Sequence, residues 1–520
     1  MPLLKLNSLG TQNINFDLEP CDLPANMLTY GTNYKLFNGK IKASNMSYTL
    51  ATPSANFNAG LIMTVLGDSG NFYLLIGQSA AWVYNGTSWT DVTKTGGYPG
   101  ISAGGELLWT GCLLGSIPVV NNAQDYPNYW SPQQTVQKLQ ALNFKAGQTW
   151  QAHGLSAKVV RSHKNFLFAL NLQQSATVLA TSYRWSHPAD INGLPYTWDE
   201  TDLAAIAGIA SVGGDMGDLV DGLTLRDNFM LYSQRGISSL SYVGGEFVWD
   251  RKVLTTSYGL LAKNCIVESN GYHYFLSDGD ILKTDGNSFV SVLHNQMQTM
   301  LVNNIDTTYY MNSFAYANPI TEEIWFCVPQ VGNTLPNIAF VINTQDDLVS
   351  MRSIPNTTTG LAFGPNLQVP ILWSNALGCW NENPKNWTYD PTSIFSRTIV
   401  STNNVNSAII SLELDDATTT QSTLLERTSF PVEGQEVVIT TQSVFPHIVS
   451  QAAVLIQLGS QQFVAGQISW KAPVSFDPNT MRKVDIRTTG KLLSWRIYST
   501  GTLPFTLTGL DIQYVVNGVR

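Results

Sequence analysis

Residues 226–253 read RDNFMLYSQRGISSLSYVGGEFVWDRKV. Three β-rich runs, NFMLYS, ISSLSY and FVWDRKV, are separated by Arg235-Gly236 and Gly244-Gly245. Short apolar and aromatic runs broken by glycine turns predict antiparallel strands joined by hairpins. Two further stretches share the plan. In residues 71–92, NFYLLIGQSAAWVYNGTSWTDV, Asn85-Gly86 separates two runs. That dipeptide predicts a two-residue type I′ turn, in which both central residues need positive φ. Residues 269–293, SNGYHYFLSDGDILKTDGNSFVSVL, turn at Asp278-Gly279 and Asp285-Gly286. Looser copies fall at 101–144, 161–200, 313–355 and 371–415. Small sheets at this interval cannot bury both faces alone, so they predict stacking around an axis. The expected body is all-β and propeller-like, with about six to eight blades. One or more β-sandwiches would also place hairpins at short intervals. Helical signal is confined to Gln133–Leu142 and Asn295–Asn303.

A polar Thr/Ser stretch, DDATTTQSTLL (415–425), reads as a linker. Beyond it come EVVITTQSVF, AAVLIQLGS, QFVAGQISW, KVDIRTTG, LLSWRIYST and LTGLDIQYVV. Six or so strands in one short stretch predict a compact C-terminal antiparallel β-sandwich-like domain. The expected organisation is an N-terminal arm over 1–30, a β-propeller-like body over 31–425 and the sandwich over 426–520.

Charged residues make up 12% of the chain, about half the roughly 25% usual for soluble domains. The deficit predicts a surface that meets other protein. The net charge is −9, whereas proteins that grip nucleic acid carry a basic excess, so sequence-specific DNA binding is not expected. Residues 426–520 hold eight Lys/Arg against six Asp/Glu, which places the acidity in the body. The start, MPLLKLNSLG, lacks a basic region followed by a long apolar run, so no secretion signal is expected. The longest apolar-looking run, Leu203–Val212, is too short to span a membrane.

The chemistry-bearing residues are scattered. Cys21, Cys112, Cys265, Cys327 and Cys379 include no CxxC pair and read as small hydrophobes in a reducing compartment rather than zinc ligands or a disulfide framework. The six histidines show no metal-ligand spacing, and His273 alternates with aromatics as a satisfied structural histidine would. Asp278, Asp280 and Asp285 suggest calcium at first sight, but ILKT intervenes, and two hairpin turns account for them better. No metal or cofactor is expected. One charge cluster runs from Asp190 to Asp227, with eight carboxylates against Arg226 alone. Its members Asp199, Glu200, Asp202, Asp215, Asp218 and Asp221 are candidates for an acidic channel or rim face. Solvated loop residues are the plain alternative. Paired carboxylates acting as glycosidase acid and base are the catalytic one, and a carbohydrate-binding or carbohydrate-cleaving propeller is the corresponding alternative function.

The order of segments resembles the tail nozzle, or packaged-DNA stabilisation, proteins of short-tailed bacteriophages. YRWSHPADINGLPYTWDE (183–200) is similar to the family's Trp-Ser-x-Pro-x-Asp segment with its second Trp. Residues 217–253 and 258–286 resemble its central blade and the blade after it. GQISWKAPVSFDPNTMRKVDIRTTGKLLSWRIYSTGTLPFTLTGLDIQYVVNGVR (466–520) resembles its closing module, although Phe505-Thr506-Leu507 stands where a Trp is common. The resemblance covers most of residues 30–520. It implies a non-enzymatic structural protein of the virion tail, forming a ring of six copies. Such a ring docks on the portal or its adaptor ring, extends the channel for double-stranded DNA, and holds spikes, fibres or a plug.

Overall fold

The computed structural model describes residues 2–67, 70–98, 105–132, 138–191, 193–245, 247–365, 397–413, 420–450, 453–464, 466–499 and 504–519. Within them, seven four-stranded antiparallel sheets form the body. Blade 1 is Ala59–Gly67, Gly70–Gly77, Ala81–Tyr84 and Trp89–Asp91. Blade 2 is Trp109–Leu114, Ile117–Asn122, Asn128–Tyr129 and Gln140–Ala141. Blade 3 is Leu155–His163, Phe166–Gln174, Thr177–Trp185 and Gly208–Ser211. Blade 4 is Leu219–Leu225, Asn228–Ser233, Ile237–Tyr242 and Trp249–Thr255. Blade 5 is Ile266–Ser269, Tyr272–Ser277, Asp280–Thr284 and Phe289–Ser291. Blade 6 is Phe314–Asn318, Glu323–Val328, Ile338–Asn343 and Leu348–Ser353. Blade 7 joins Thr358–Pro365, Arg397–Asn403 and Ile409–Ser411 to Tyr48–Ala51, a strand from far upstream.

This last pairing closes the propeller with strands from both ends of the body, so the ring of blades has no seam of purely local contacts. Apolar clusters fill each gap between blades, from 1 against 2 round to 7 against 1. Between blades 3 and 4, for example, Phe168 stacks on Phe229 with ring centroids 4.3 Å apart. Because neighbouring blades cover both faces of a sheet, the second strands are buried over most of their length, as Ile117–Asn122 and Glu323–Val328 are. This is why they read as continuous apolar runs instead of alternating ones.

Two local expectations change. Asn85 opens a four-residue loop between Tyr84 and Trp89, which pair directly. Gly86 has φ 96°, while Asn85 is not in the positive region. Asn85 works through its side chain, whose Oδ1 accepts the amides of Thr87 and Ser88 at 3.0 and 2.8 Å, a turn geometry open to Asn. The second helix expectation is met by α1, Gln298–Asn304. The first is not: Gln140–Ala141 is the outer strand of blade 2, pairing with Asn128–Tyr129, and residues 133–137 lie outside the described residues.

Two further sheets pack over one core that includes Trp495, Ile456, Val444 and Leu510. The first sheet runs Tyr34–Phe37, Lys40–Ala43, Phe505–Val519, Val437–Ser450 and Thr489–Gly490, with Leu3–Asn7 also on Phe505–Val519. The second runs Tyr30–Thr32, Leu424–Pro431, Leu492–Tyr498, Val454–Gln461 and Ser469–Trp470, with Val474–Phe476 also on Val454–Gln461. The chain start, expected as an arm over 1–30, therefore supplies a strand of this sandwich, and so do residues 30–43. Leu6 opposite Leu510 illustrates the pairing. A partner some 500 residues away leaves no local mark in the sequence, which is why the segment reads as an arm.

The sandwich is fastened to blade 6. Asn33 donates its amide to the Met351 carbonyl at 2.8 Å, and its Oδ1 accepts the Ser353 amide at 2.7 Å. Asn13 Oδ1 accepts the Val349 amide at 2.6 Å. Beneath these bonds, Arg352 is ion-paired with Glu323 and Glu413, and Glu413 with Lys35 of the sandwich. The Arg352 guanidinium also lies 4.9 Å above the Trp325 ring.

Candidate functional site: the propeller axis and the acidic segment

The first strand of each blade faces the axis. Together they bound a cavity of about 780 Å³ whose wall includes Leu61, Met63, Leu113, Leu223, Ala315 and Phe363. This wall is apolar in part and polar elsewhere, with Glu268 and Glu322 on the side of blades 5 and 6 and a polar group at Arg161 and Asn264.

That group centres on Asp221, which is fully buried. Its carboxylate receives Arg161 Nε and Nη2, both at 2.7 Å, and the amides of Gly222 and Asn264 at 2.7 and 2.8 Å. Arg161 donates further to Asn264 Oδ1 at 2.7 Å and to the Gly111 carbonyl at 2.8 Å. Burial opposes the guanidinium charge, but Asp221 outweighs it and holds the Arg161 pKa above its usual value. The arrangement stitches blades 2, 3, 4 and 5 together. Nearby, Lys263 donates to Glu106 at 2.9 Å, and burial lowers the lysine's pKa despite that partner. Among the described residues, no three His, Cys, Asp or Glu side chains are grouped to hold a metal ion.

The six candidate carboxylates are spread over several places. Asp199 and Glu200 sit on the long connection of blade 3. Asp199 pairs with Lys145 at 3.2 Å and accepts both the hydroxyl and the amide of Thr201. The Thr201 hydrogen bonds lower the Asp199 pKa to about 2. Glu200 pairs with Arg184. Asp202 accepts the Ala204 amide at 3.0 Å on the same connection. Asp215 lies in the short 3-10 turn Gly214–Met216, Asp218 just before blade 4, and Asp221 inside its first strand. Three of the six thus have cationic partners within the chain.

The histidines His163 and His273 are buried. His273 Nε2 lies 2.8 Å from the Thr224 carbonyl, which only accepts, so Nε2 carries the proton and Nδ1 accepts from the Tyr232 hydroxyl at 2.9 Å. The Thr224 hydroxyl is 2.9 Å from His163 Nδ1. Burial lowers both histidine pKa values to about 4. The Asp278 and Asp285 turns are hairpin turns: Ser277 pairs with Asp280 across the first, and Asp285 Oδ1 accepts the Asn287 and Ser288 amides in the second. Cys265 and Cys327 are buried, and Cys21 and Cys112 are half-buried; Cys379 lies outside the described residues. Sequence reasoning passed over Arg161, Asn264 and Thr224. The available signal was Asp221 itself, a carboxylate inside the apolar run LVDGLTL.

Among the described residues, the chain forms a seven-bladed β-propeller closed by Tyr48–Ala51 in blade 7, carrying a two-sheet sandwich with strands from both chain ends. No family model matches the chain, and no curated protein matches it. Solved structures similar to it include the β-propeller domain of Myceliophteria thermophila Cps50 (Swd1), at 8% identity and TM-score 0.39 over 70% of this chain and 99% of that one. The AfRom2 CNH domain is similar at 8% identity and TM-score 0.36, over 71% and 99%. The exo-beta-1,3-galactanase of Phanerochaete chrysosporium is similar at 10% identity and TM-score 0.28, over 81% and 98%.

Proposed function

We propose that this protein is a structural, non-enzymatic subunit of a short-tailed bacteriophage tail, assembled as a ring of six copies around the path of DNA. The observation that carries the reading is the ordered series of nozzle-like segments, which fall in chain order on blades 3, 4 and 5 and on the sandwich. Residues 183–200 span the end of a blade 3 strand and its long connection, 217–253 match blade 4, 258–286 fall on blade 5, and 466–520 supply sandwich strands.

The axial cavity bears on where DNA would run. The axial space of each propeller holds about 780 Å³, a volume on the scale of a small-molecule cavity. In this reading the conduit lies between copies, on the axis of the ring. Six chains of net charge −9 carry about −54 in total, and a conduit of that sign repels phosphate and lets the duplex slide. The portal or its adaptor ring would lie at one end, and spikes, fibres or a plug at the other. Against a glycosidase, Asp199, Glu200 and Asp221 are each held by a basic side chain.

Sedimentation of the purified protein tests the reading: a closed oligomer several times 57.1 kDa, with no glycan turnover, is expected. Glycan cleavage that disappears on neutralising Asp199 or Glu200 would overturn it.

A further inference from the structure

A head-to-tail ring needs two different surfaces on each chain, and the fold carries two exposed apolar patches of opposite charge, one on the propeller and one on the sandwich. The first lies on blade 3, in the connection between Thr177–Trp185 and Gly208–Ser211. There Ile191, Tyr196 and Leu203 are 91%, 48% and 103% exposed. The His187 ring lies 4.5 Å from that of Tyr196. Burial lowers the His187 pKa, while Asp202 and Asp190 beside it act in the opposite direction. The ion pairs of this acidic segment use Asp199, Glu200, Asp221 and Asp227; among the described residues Asp190, Asp202, Asp215 and Asp218 form none, and of these Asp190 and Asp202 lie on this connection. In a ring of seven, the blades farthest from blade 6, where the sandwich is fastened, are 2 and 3.

The second patch lies in the sandwich, at the turn after Val454–Gln461. Phe463 and Val464 are 66% and 41% exposed, beside a cleft of about 390 Å³ lined also by Gln467, Lys471 and Arg487. Lys471 and Arg487 are exposed. In the order of this sheet, Ser469–Trp470 is at one edge and Tyr30–Thr32 at the other. The chain continues from Tyr30–Thr32 directly into the Asn33 contact with blade 6, so the Phe463 turn is on the edge away from the propeller.

We infer that the acidic apolar rim of blade 3 (Asp190, Ile191, Leu203, Asp202) docks onto the basic apolar cleft of the sandwich (Phe463, Lys471, Arg487) of a second copy of this chain. Apolar side chains supply the contact, and opposite charges fix which surface meets which. This inference rests on the ring reading above.

Charge reversal tests it, read by mass photometry of the full chain. Lys471→Glu with Arg487→Glu faces acid with acid and is expected to raise the dissociation constant on the order of 100-fold. Adding Asp190→Lys and Asp202→Lys to the same chain restores opposite charges and is expected to restore assembly. Assembly that survives the first pair of changes overturns this interface and leaves the ring standing. Loss that the four-site chain does not recover overturns the pairing of these two patches. A wild-type chain that remains monomeric overturns the ring and the interface with it.

Discussion

Thr224 binds His163 of blade 3 through its hydroxyl and His273 of blade 5 through its carbonyl, so one residue of blade 4 holds its two neighbours. Both imidazoles are buried in the neutral form, with pKa values of about 4 against an ordinary value near 6.5. Between those pH values the unfolded chain takes up protons that the folded chain refuses. Stability is therefore complete above about pH 6.5, declines as the pH falls towards 4, and declines no further through these groups below that. For His273 the slope is about 1.4 kcal/mol per pH unit. Denaturant unfolding at a series of pH values should show this decline, and His273→Gln should make it shallower. Asp221 gives a larger effect at a single pH. Removing it leaves Arg161 buried without its counter-charge, so Asp221→Ala is expected to cost about 3–5 kcal/mol, measured as a fall in unfolding free energy. A loss below about 1 kcal/mol would mean the pair is not buried as described. The acidic segment shows what a sequence withholds at this scale. Asp202 and Asp221 look equivalent as letters, yet one lies on an outer connection and the other inside a strand, because only the packing of blades 2 to 5 decides which carboxylate is enclosed.

At the scale of elements, hairpins were legible, while the first strands of blades 1 and 4 were not. In blades 1 and 4 the quoted runs catch the later strands, where tight turns such as Asp278-Gly279 in blade 5 stand out. The opening strands Ala59–Gly67 and Leu219–Leu225 border the cavity and follow long connections, so no turn announces them. The upstream strand Tyr48–Ala51 in blade 7 and the strands from Leu3 to Ala43 in the sandwich were illegible for a different reason. Their partners lie hundreds of residues away, and a short polar-apolar run does not name its partner. These pairings make the chain start indispensable. Deleting residues 1–51 removes five strands from two units, and the truncated chain is expected to be recovered insoluble or without a cooperative unfolding transition by circular dichroism. A soluble truncated chain with a sharp transition would contradict the topology.

At the scale of the molecule, the sandwich and the propeller meet through the main-chain and side-chain bonds of Asn33 and through half-buried Lys35 with the buried Glu413, Arg352 and Glu323. A subunit fastened in this way exposes one apolar patch on blade 3 and another at the Phe463 turn of the sandwich. In the proposed ring, repeated copies would form the wall, and the axial cavity would stay inside each propeller. The all-β body and closing sandwich were readable from turns and runs, while the proposed ring rests on the order of nozzle-like segments. Electron microscopy of the purified protein in negative stain tests that central claim most directly. The account predicts closed rings of uniform subunit number with a central hole wide enough for a DNA duplex. Dispersed single particles at micromolar concentration, or rings with no central opening, would contradict it.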